Sequence, residues 1–80
     1  MLMPISRHPL KEEFPQYFSR LRDMKRDDPS FSALVSEYDV TDKKIYGLAS
    51  KLLPVSDAHM GELKRRRLSL KEAIQEQLVR

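Results

Sequence analysis

The fold is decided by a stretch near the C-terminus that reads Leu63-Lys64-Arg65-Arg66-Arg67-Leu68-Ser69-Leu70-Lys71-Glu72-Ala73-Ile74. Leucine, lysine, arginine, glutamate and alanine all favour helix. Around this stretch, one position in every three or four falls on a single seam, namely 60, 63, 67, 70, 74 and 77. Ser56 or Asp57 can cap the helix at its N-terminus. The pattern predicts a helix over about residues 57–78.

A second long helix is predicted upstream, because seam positions recur there at 31, 34, 38, 41, 45, 48 and 52. These steps alternate between three and four residues, as in a heptad seam, and Thr41 is the one polar occupant. Asp28 can cap this helix, Pro29 suits its first turn, and Pro54 ends it. The predicted helix covers about 29–53, and the short linker requires it to lie antiparallel to the helix at 57–78.

The N-terminal part predicts a flexible leader followed by a short helix. Residues 1–9 contain two prolines and show no periodicity. From Leu10 to Met24 the apolar residues follow a helical period, and Pro15 places the helix start so that it covers about 15–26. Residues 10–14 are then a lead-in or a separate turn. The expected fold is all-α: a coiled-coil-like antiparallel two-helix hairpin preceded by this helix, within a single helical domain at 10–80.

Composition excludes several classes of function. The 80 residues include no cysteine, so disulfides, thiolate metal sites and thiol nucleophiles are ruled out. The two histidines lack metal-ligand spacing, and the two glycines cannot form a phosphate-binding loop. We therefore expect no enzymatic activity, no cofactor, no metal and no small-molecule substrate. No window approaches the ~20 apolar residues of a membrane span, so a cytoplasmic protein without a membrane partner is expected.

The basic run Lys64, Arg65, Arg66 and Arg67 allows two interpretations. Cationic side chains can neutralise phosphates, which would make the chain an accessory nucleic-acid-binding protein that uses Lys64, Arg65 and Arg66, with Arg20 or Arg22. Four consecutive helical residues, however, cover about 300° of arc and do not form one face. The other interpretation is a solvated helix surface with salt bridges to the neighbouring helix.

Arg67 occupies a seam position, where an unpaired charge would be costly. Its partner could be Asp42, Glu37 or Glu76. Alternatively, the aliphatic stem packs on the seam while the guanidinium extends to water. A paired Arg67 would fix the helix register more than it adds stability, so we expect Arg67→Leu to keep or raise the melting temperature and to change the oligomeric state.

The sequence resembles the YdcH-like family, small bacterial proteins of unknown function, over about residues 14–78. The matching residues are Phe14, Pro15, Tyr17, Leu21, Asp28, Pro29, Phe31, Leu34, Tyr38, Asp42, Ile45, Leu63, Lys64, Arg67, Leu68, Leu70, Lys71, Glu72 and Ile74. The family pattern has asparagine, one residue, then leucine before the aspartate, where this chain has Asp39 and Thr41 before Asp42. The resemblance implies a short helical protein without an assigned activity and carries over no catalytic residue.

The most direct functional hypothesis is a small interaction module that binds itself or an unidentified protein. A single hairpin leaves apolar helix faces uncovered, and such faces are used in association. The residues predicted to make these contacts are Phe14, Phe18, Val35, Leu68 and Leu78. The aromatic side chains on the N-terminal helix could alternatively pack on the hairpin from below.

Overall fold

The computed structural model describes residues 7–50 and 56–80, and over these residues the chain is all-α, as predicted. The helices are α1 (Leu10–Glu13), a 3-10 turn (Pro15–Tyr17), α2 (Phe18–Asp27), α3 (Pro29–Ser50) and α4 (Asp57–Leu78). Among the described residues, no helix is both long and apolar enough to cross a membrane.

The two long helices begin where their caps were predicted. The Asp28 carboxylate accepts hydrogen bonds from the N–H groups of Ser30 at 3.0 Å and Phe31 at 3.2 Å. The Ser56 hydroxyl accepts one from the N–H of His59 at 3.1 Å. These bonds satisfy backbone donors that have no partner inside a helix. The bounds of α4 match the prediction, whereas residues 51–53 of the predicted second helix lie outside the described residues.

The N-terminal segment is more broken than the single helix predicted at 15–26. A turn of α-helix, α1, precedes Pro15, and the backbone leaves the helical region at Phe14, with φ −129° and ψ 59°. The residue before a proline is disfavoured in helical geometry, which explains the break. The chain then returns to helical geometry through the 3-10 turn, and α2 follows it directly.

A single hydrophobic core joins three parts of the chain, and each part contributes three side chains. The N-terminal segment supplies Leu10, Phe14 and Leu21, α3 supplies Phe31, Val35 and Tyr38, and α4 supplies Leu70, Ile74 and Leu78. The predicted seam of α3 and α4 is buried or half-buried at every described position. Thr41, its polar member in α3, donates its hydroxyl hydrogen to the carbonyl of Glu37 at 2.8 Å and is therefore satisfied.

Candidate interaction surface

The five residues predicted to make partner contacts separate into two groups. Phe14, Val35 and Leu78 belong to the core and are almost fully buried within one chain. Phe18 and Leu68 remain 51% and 55% exposed. The first group does not form a surface because the segment from α1 to α2 covers the faces that a hairpin alone would expose. Of the five, only Phe18 and Leu68 are accessible without opening the core.

Phe18 lines an open groove of about 540 Å³, which we call the α2–α3 groove. Its walls are one face of α2 and one face of α3, and residues at the start of α1 also line it. The lining residues are Pro9, Leu10, Lys11, Phe18, Leu21, Arg22, Lys25, Arg26, Ser32, Val35 and Asp39. A concave surface with apolar side chains and a few polar groups has the composition of a binding site.

Helical periodicity explains why these residues share one groove. The α2 wall uses positions 18, 21, 22, 25 and 26, and the α3 wall uses positions 32, 35 and 39. Residues three and four apart lie on the same helix face. Leu21 and Val35 are buried, and they form the floor between the two helices together with Leu10. Phe18 is the large apolar side chain of the groove, and about half of its surface is exposed to solvent.

The rim of the groove is predominantly cationic. Lys11, Arg22, Lys25 and Arg26 line it and are exposed, and Asp39 is the one carboxylate in the lining. Over residues 7–50 and 56–80, neither Lys11 nor Lys25 forms an ion pair. The groove therefore combines an apolar floor with positive charge at its edge.

The two arginines of the rim are bound to their sequence neighbours. Arg22 pairs with Asp23 at 3.3 Å, and Arg26 holds Asp27 with two hydrogen bonds of 2.8 and 2.9 Å. The hydrogen bond from Arg26 lowers the pKa of Asp27 below its ordinary value and raises the pKa of Arg26. Exposed pairs of this kind contribute little to stability, so the carboxylate of a ligand can take the place of these acids.

A second notable feature is the buried carboxylate of Asp42 on α3, which is 0% exposed. It accepts from Arg67 Nη1 at 2.9 Å, from Arg7 Nε at 3.3 Å and from the backbone N–H of His8 at 3.0 Å. Of the alternatives that the sequence left open for Arg67, the structure has the pair with Asp42. The carboxylate thus ties α4 and the N-terminal segment to α3.

Tyr38 lies one helical turn before Asp42 and also binds His8, at its carbonyl group. Its hydroxyl donates to the His8 carbonyl at 2.6 Å. Burial of Tyr38, followed by the negative charges of Asp42 and Glu13, raises the pKa of the phenol to about 12. Arg7 and His8 belong to the predicted flexible leader at 1–9, yet both contact α3; residues 1–6 lie outside the described residues.

The basic run does not form one surface. Lys64, Arg65 and Arg66 are exposed, and Arg66 lies 3.5 Å from Glu37 of α3. Arg67 turns inward to Asp42, with its side chain 20% exposed. Across the described part of the chain, no group of three metal-ligating side chains occurs.

The groove is the candidate site that sequence reasoning missed. The spacing of Phe18, Leu21, Arg22, Lys25 and Arg26 was visible as one amphipathic face. What the sequence did not reveal is that α3 runs beside that face and leaves a gap. The contacts of Arg7 and His8 were missed for a similar reason, since no local pattern marks them.

A family model described as a protein of unknown function, DUF465, matches residues 31–78. The match covers nearly all of α3 and the whole of α4, and it leaves out the N-terminal segment that forms one wall of the groove. The YdcH-like proteins that the sequence resembles fall within this family, so that prediction is confirmed. Neither a curated protein nor a solved structure matches the chain.

Proposed function

Because the chain belongs to the DUF465 family of proteins of unknown function, we propose a function from its geometry: it is a protein-interaction module that holds a partner in the α2–α3 groove. The proposal rests on the exposure of Phe18. This large apolar side chain remains 51% exposed beside the apolar floor of the groove. Aromatic side chains in such positions are typical anchors of protein interfaces.

The proposed architecture is a two-helix scaffold that the N-terminal segment completes. In this proposal α3 and α4 form the coiled-coil-like antiparallel hairpin, and the segment from α1 to α2 lies across it to complete the groove. The ion pairs Asp42–Arg67 and Glu37–Arg66 between α3 and α4 support this arrangement. The module acts in the cytoplasm by binding alone, without a cofactor or catalysis.

Two other proposals from the sequence have less support. Self-association through Phe14 and Leu78 would need side chains that are buried inside one chain, and Val35, the third buried residue, contributes to the floor of the groove. Nucleic-acid binding through Lys64, Arg65 and Arg66 would use a run in which Arg66 already faces Glu37, and from which Arg67 turns away to Asp42. Binding in the groove needs no rearrangement of the core and breaks no ion pair between helices, because Arg22 and Arg26 are paired with neighbouring residues of α2.

The proposed function is tested by comparing three forms of the immobilised full-length chain in extracts of its own cells: the unaltered protein, Phe18→Asp and Leu68→Asp. Phe18 and Leu68 are exposed to nearly the same degree, but only Phe18 lines the groove. We expect a protein that is retained by the unaltered chain and by Leu68→Asp, and lost from Phe18→Asp.

Light scattering over a concentration series completes this test. We expect the mass of one chain at every concentration, because the core is covered within the chain. The proposal fails if all three forms retain the same proteins, or if a stable dimer forms that Phe18→Asp dissociates, since the groove would then serve self-association. Circular dichroism confirms that the variants remain helical.

A further inference from the structure

We propose that the α2–α3 groove recognises an acidic amphipathic helix of another protein, with apolar residues on one face and carboxylates beside them. This inference rests on the proposed function and specifies the chemistry of its partner. It depends on three observations: the charge of the rim, the shape of the floor, and the poor fit of the alternatives.

The charge of the rim selects carboxylates. Four cationic side chains line the groove against one acidic side chain, at the α1 end and along the α2 wall. Arg22 and Arg26 are already paired with acidic neighbours of α2, so the charge selection rests mainly on the two lysines. Lys11 and Lys25, unpaired within the described ranges, gain a first partner when an acidic ligand binds. Complementary charge across an interface raises the association rate and determines the orientation of the ligand.

The floor of the groove selects apolar side chains in a helical arrangement. Phe18 and Leu21 of α2 and Val35 of α3 line the groove, so both of its long walls are helices. A helix that enters such a groove places residues at i, i+3, i+4 and i+7 on the floor. Its flanking positions then lie against the rim, where carboxylates meet Lys25 and Arg22.

A second copy of this chain is a poor occupant. The chain carries a net charge of +3, so two copies repel one another on average. Two of its exposed apolar residues, Val40 and Leu68, are themselves next to cations on their helices. Three or four residues away there are five cations against two carboxylates: Lys43, Lys44, Lys64, Arg65 and Lys71 against Glu37 and Glu72.

A nucleic acid is also disfavoured as the occupant. Its phosphates could pair with the rim, but the floor of Leu10, Leu21 and Val35 has no polar side chain to bind a backbone or a base edge. Phe18 is the one aromatic residue of the groove on which a base could stack. Apolar side chains on a helix satisfy the floor and the rim together.

The test uses two synthetic helical peptides of about 18 residues, long enough to form helix. Both carry leucines at the helix-face spacing, and they differ only in having glutamate or lysine at the flanking positions. Binding to the full-length chain is measured by fluorescence anisotropy. We expect the glutamate peptide to bind and the lysine peptide to bind at least about tenfold more weakly.

Three variants locate the site. Lys25→Glu should weaken binding of the glutamate peptide by about five- to tenfold and strengthen binding of the lysine peptide. Lys43→Glu, the same charge change on an exposed part of α3 that does not line the groove, should change neither affinity. Phe18→Ala should weaken binding of the glutamate peptide by about tenfold, whereas Leu68→Ala should not.

The outcomes separate this inference from the proposed function. Equal binding of both peptides, with loss only in Phe18→Ala, would overturn the charge selection and leave groove binding intact. Binding of neither peptide would overturn the inference, while the retention experiment with Phe18→Asp judges the function independently. Displacement of the bound glutamate peptide by a short oligonucleotide, at a similar concentration to that of unlabelled peptide, would assign the groove to nucleic acid instead.

Discussion

At the scale of single residues, the stability of the chain depends on Asp42. This carboxylate is 0% exposed and has donors from α4 and from two N-terminal residues. Removing one donor leaves the charge of Asp42 buried with fewer hydrogen bonds, which is destabilising. Replacing both members of an ion pair by apolar groups leaves no such charge. The sequence-based expectation for Arg67→Leu assumed a pair that only fixes register. Because Asp42 is fully buried, we expect the substitution to lower the stability instead.

We now expect Arg67→Leu to lower the free energy of unfolding by about 1–3 kcal/mol, because Asp42 loses its shortest contact. Urea denaturation followed by circular dichroism measures the change. Arg66→Leu is the matched control, since the exposed pair with Glu37 contributes at most about 1 kcal/mol. Equal midpoints for the unaltered chain and Arg67→Leu would show that Arg7 and His8 suffice to hold Asp42.

The buried phenol of Tyr38 predicts a loss of stability at high pH. Its pKa in the folded chain is about 12, against an ordinary value of 10.0. Between these two values the folded state keeps a proton that the unfolded state has released. Stability from this group is therefore complete below pH 10 and is lost as the pH rises towards 12, by about 2–3 kcal/mol.

The measurement is the unfolding free energy at a series of pH values between 9 and 12, compared with Tyr38→Phe. Phenylalanine cannot ionise, so the variant should be less stable at pH 9 because it lacks the hydrogen bond to His8, and its stability should fall less steeply. Parallel curves for the two chains would contradict the assignment and point to lysine deprotonation as the cause.

At the scale of helices, the caps determine where the long elements begin. Asp28 accepts two backbone hydrogen bonds at the start of α3, whereas Asp27 bonds only to Arg26. We expect Asp28→Ala to lower the unfolding free energy by about 1 kcal/mol, as the loss of a helix cap does. The neighbouring control, Asp27→Ala, should stay within about 0.5 kcal/mol of the unaltered chain. Thermal and urea melts of the two variants measure this, and equal losses would refute the capping role.

Gly47 within α3 is a position where the helix is weaker than it could be. Among the residues that the structure describes, no atom outside the adjoining turns of α3 lies within 4 Å of a Cβ atom added there, so none of their backbones approaches closely enough to require glycine. Alanine has the higher helix propensity, and Gly47→Ala should raise the unfolding free energy by about 0.5–1 kcal/mol. A urea melt measures this, and a lower midpoint would show that another chain contacts this site.

At the scale of the whole molecule, the N-terminal segment covers apolar side chains of the two long helices. The protein is elongated, 40 × 24 × 17 Å, so its core is thin and every covering side chain matters. Leu10, Phe14 and Leu21 cover the core residues of α3 and α4. The segment therefore buries apolar side chains of both long helices.

Removing residues 1–27 should promote self-association, because the uncovered apolar faces of α3 and α4 then need another copy. Light scattering of the shortened chain is expected to give at least twice its own mass. The full-length variant Leu68→Ser, changed at an exposed residue outside the core, should remain a monomer. A monomeric and fully helical shortened chain would mean that α3 and α4 need no cover.

The sequence by itself determined the all-α class, the start of both long helices, the bounds of α4 and the seam positions of α3 and α4. These features depend on local rules: helix propensity, capping groups and the three-to-four spacing of apolar residues. The tertiary structure alone decided which apolar residues are covered, which carboxylate holds Arg67, and that α2 and α3 leave a groove. The covering of apolar residues and the groove depend on how the segment before Pro29 packs on the long helices, and the Arg67–Asp42 pair depends on how α4 lies against α3. Contacts between residues far apart in the chain have no local signature.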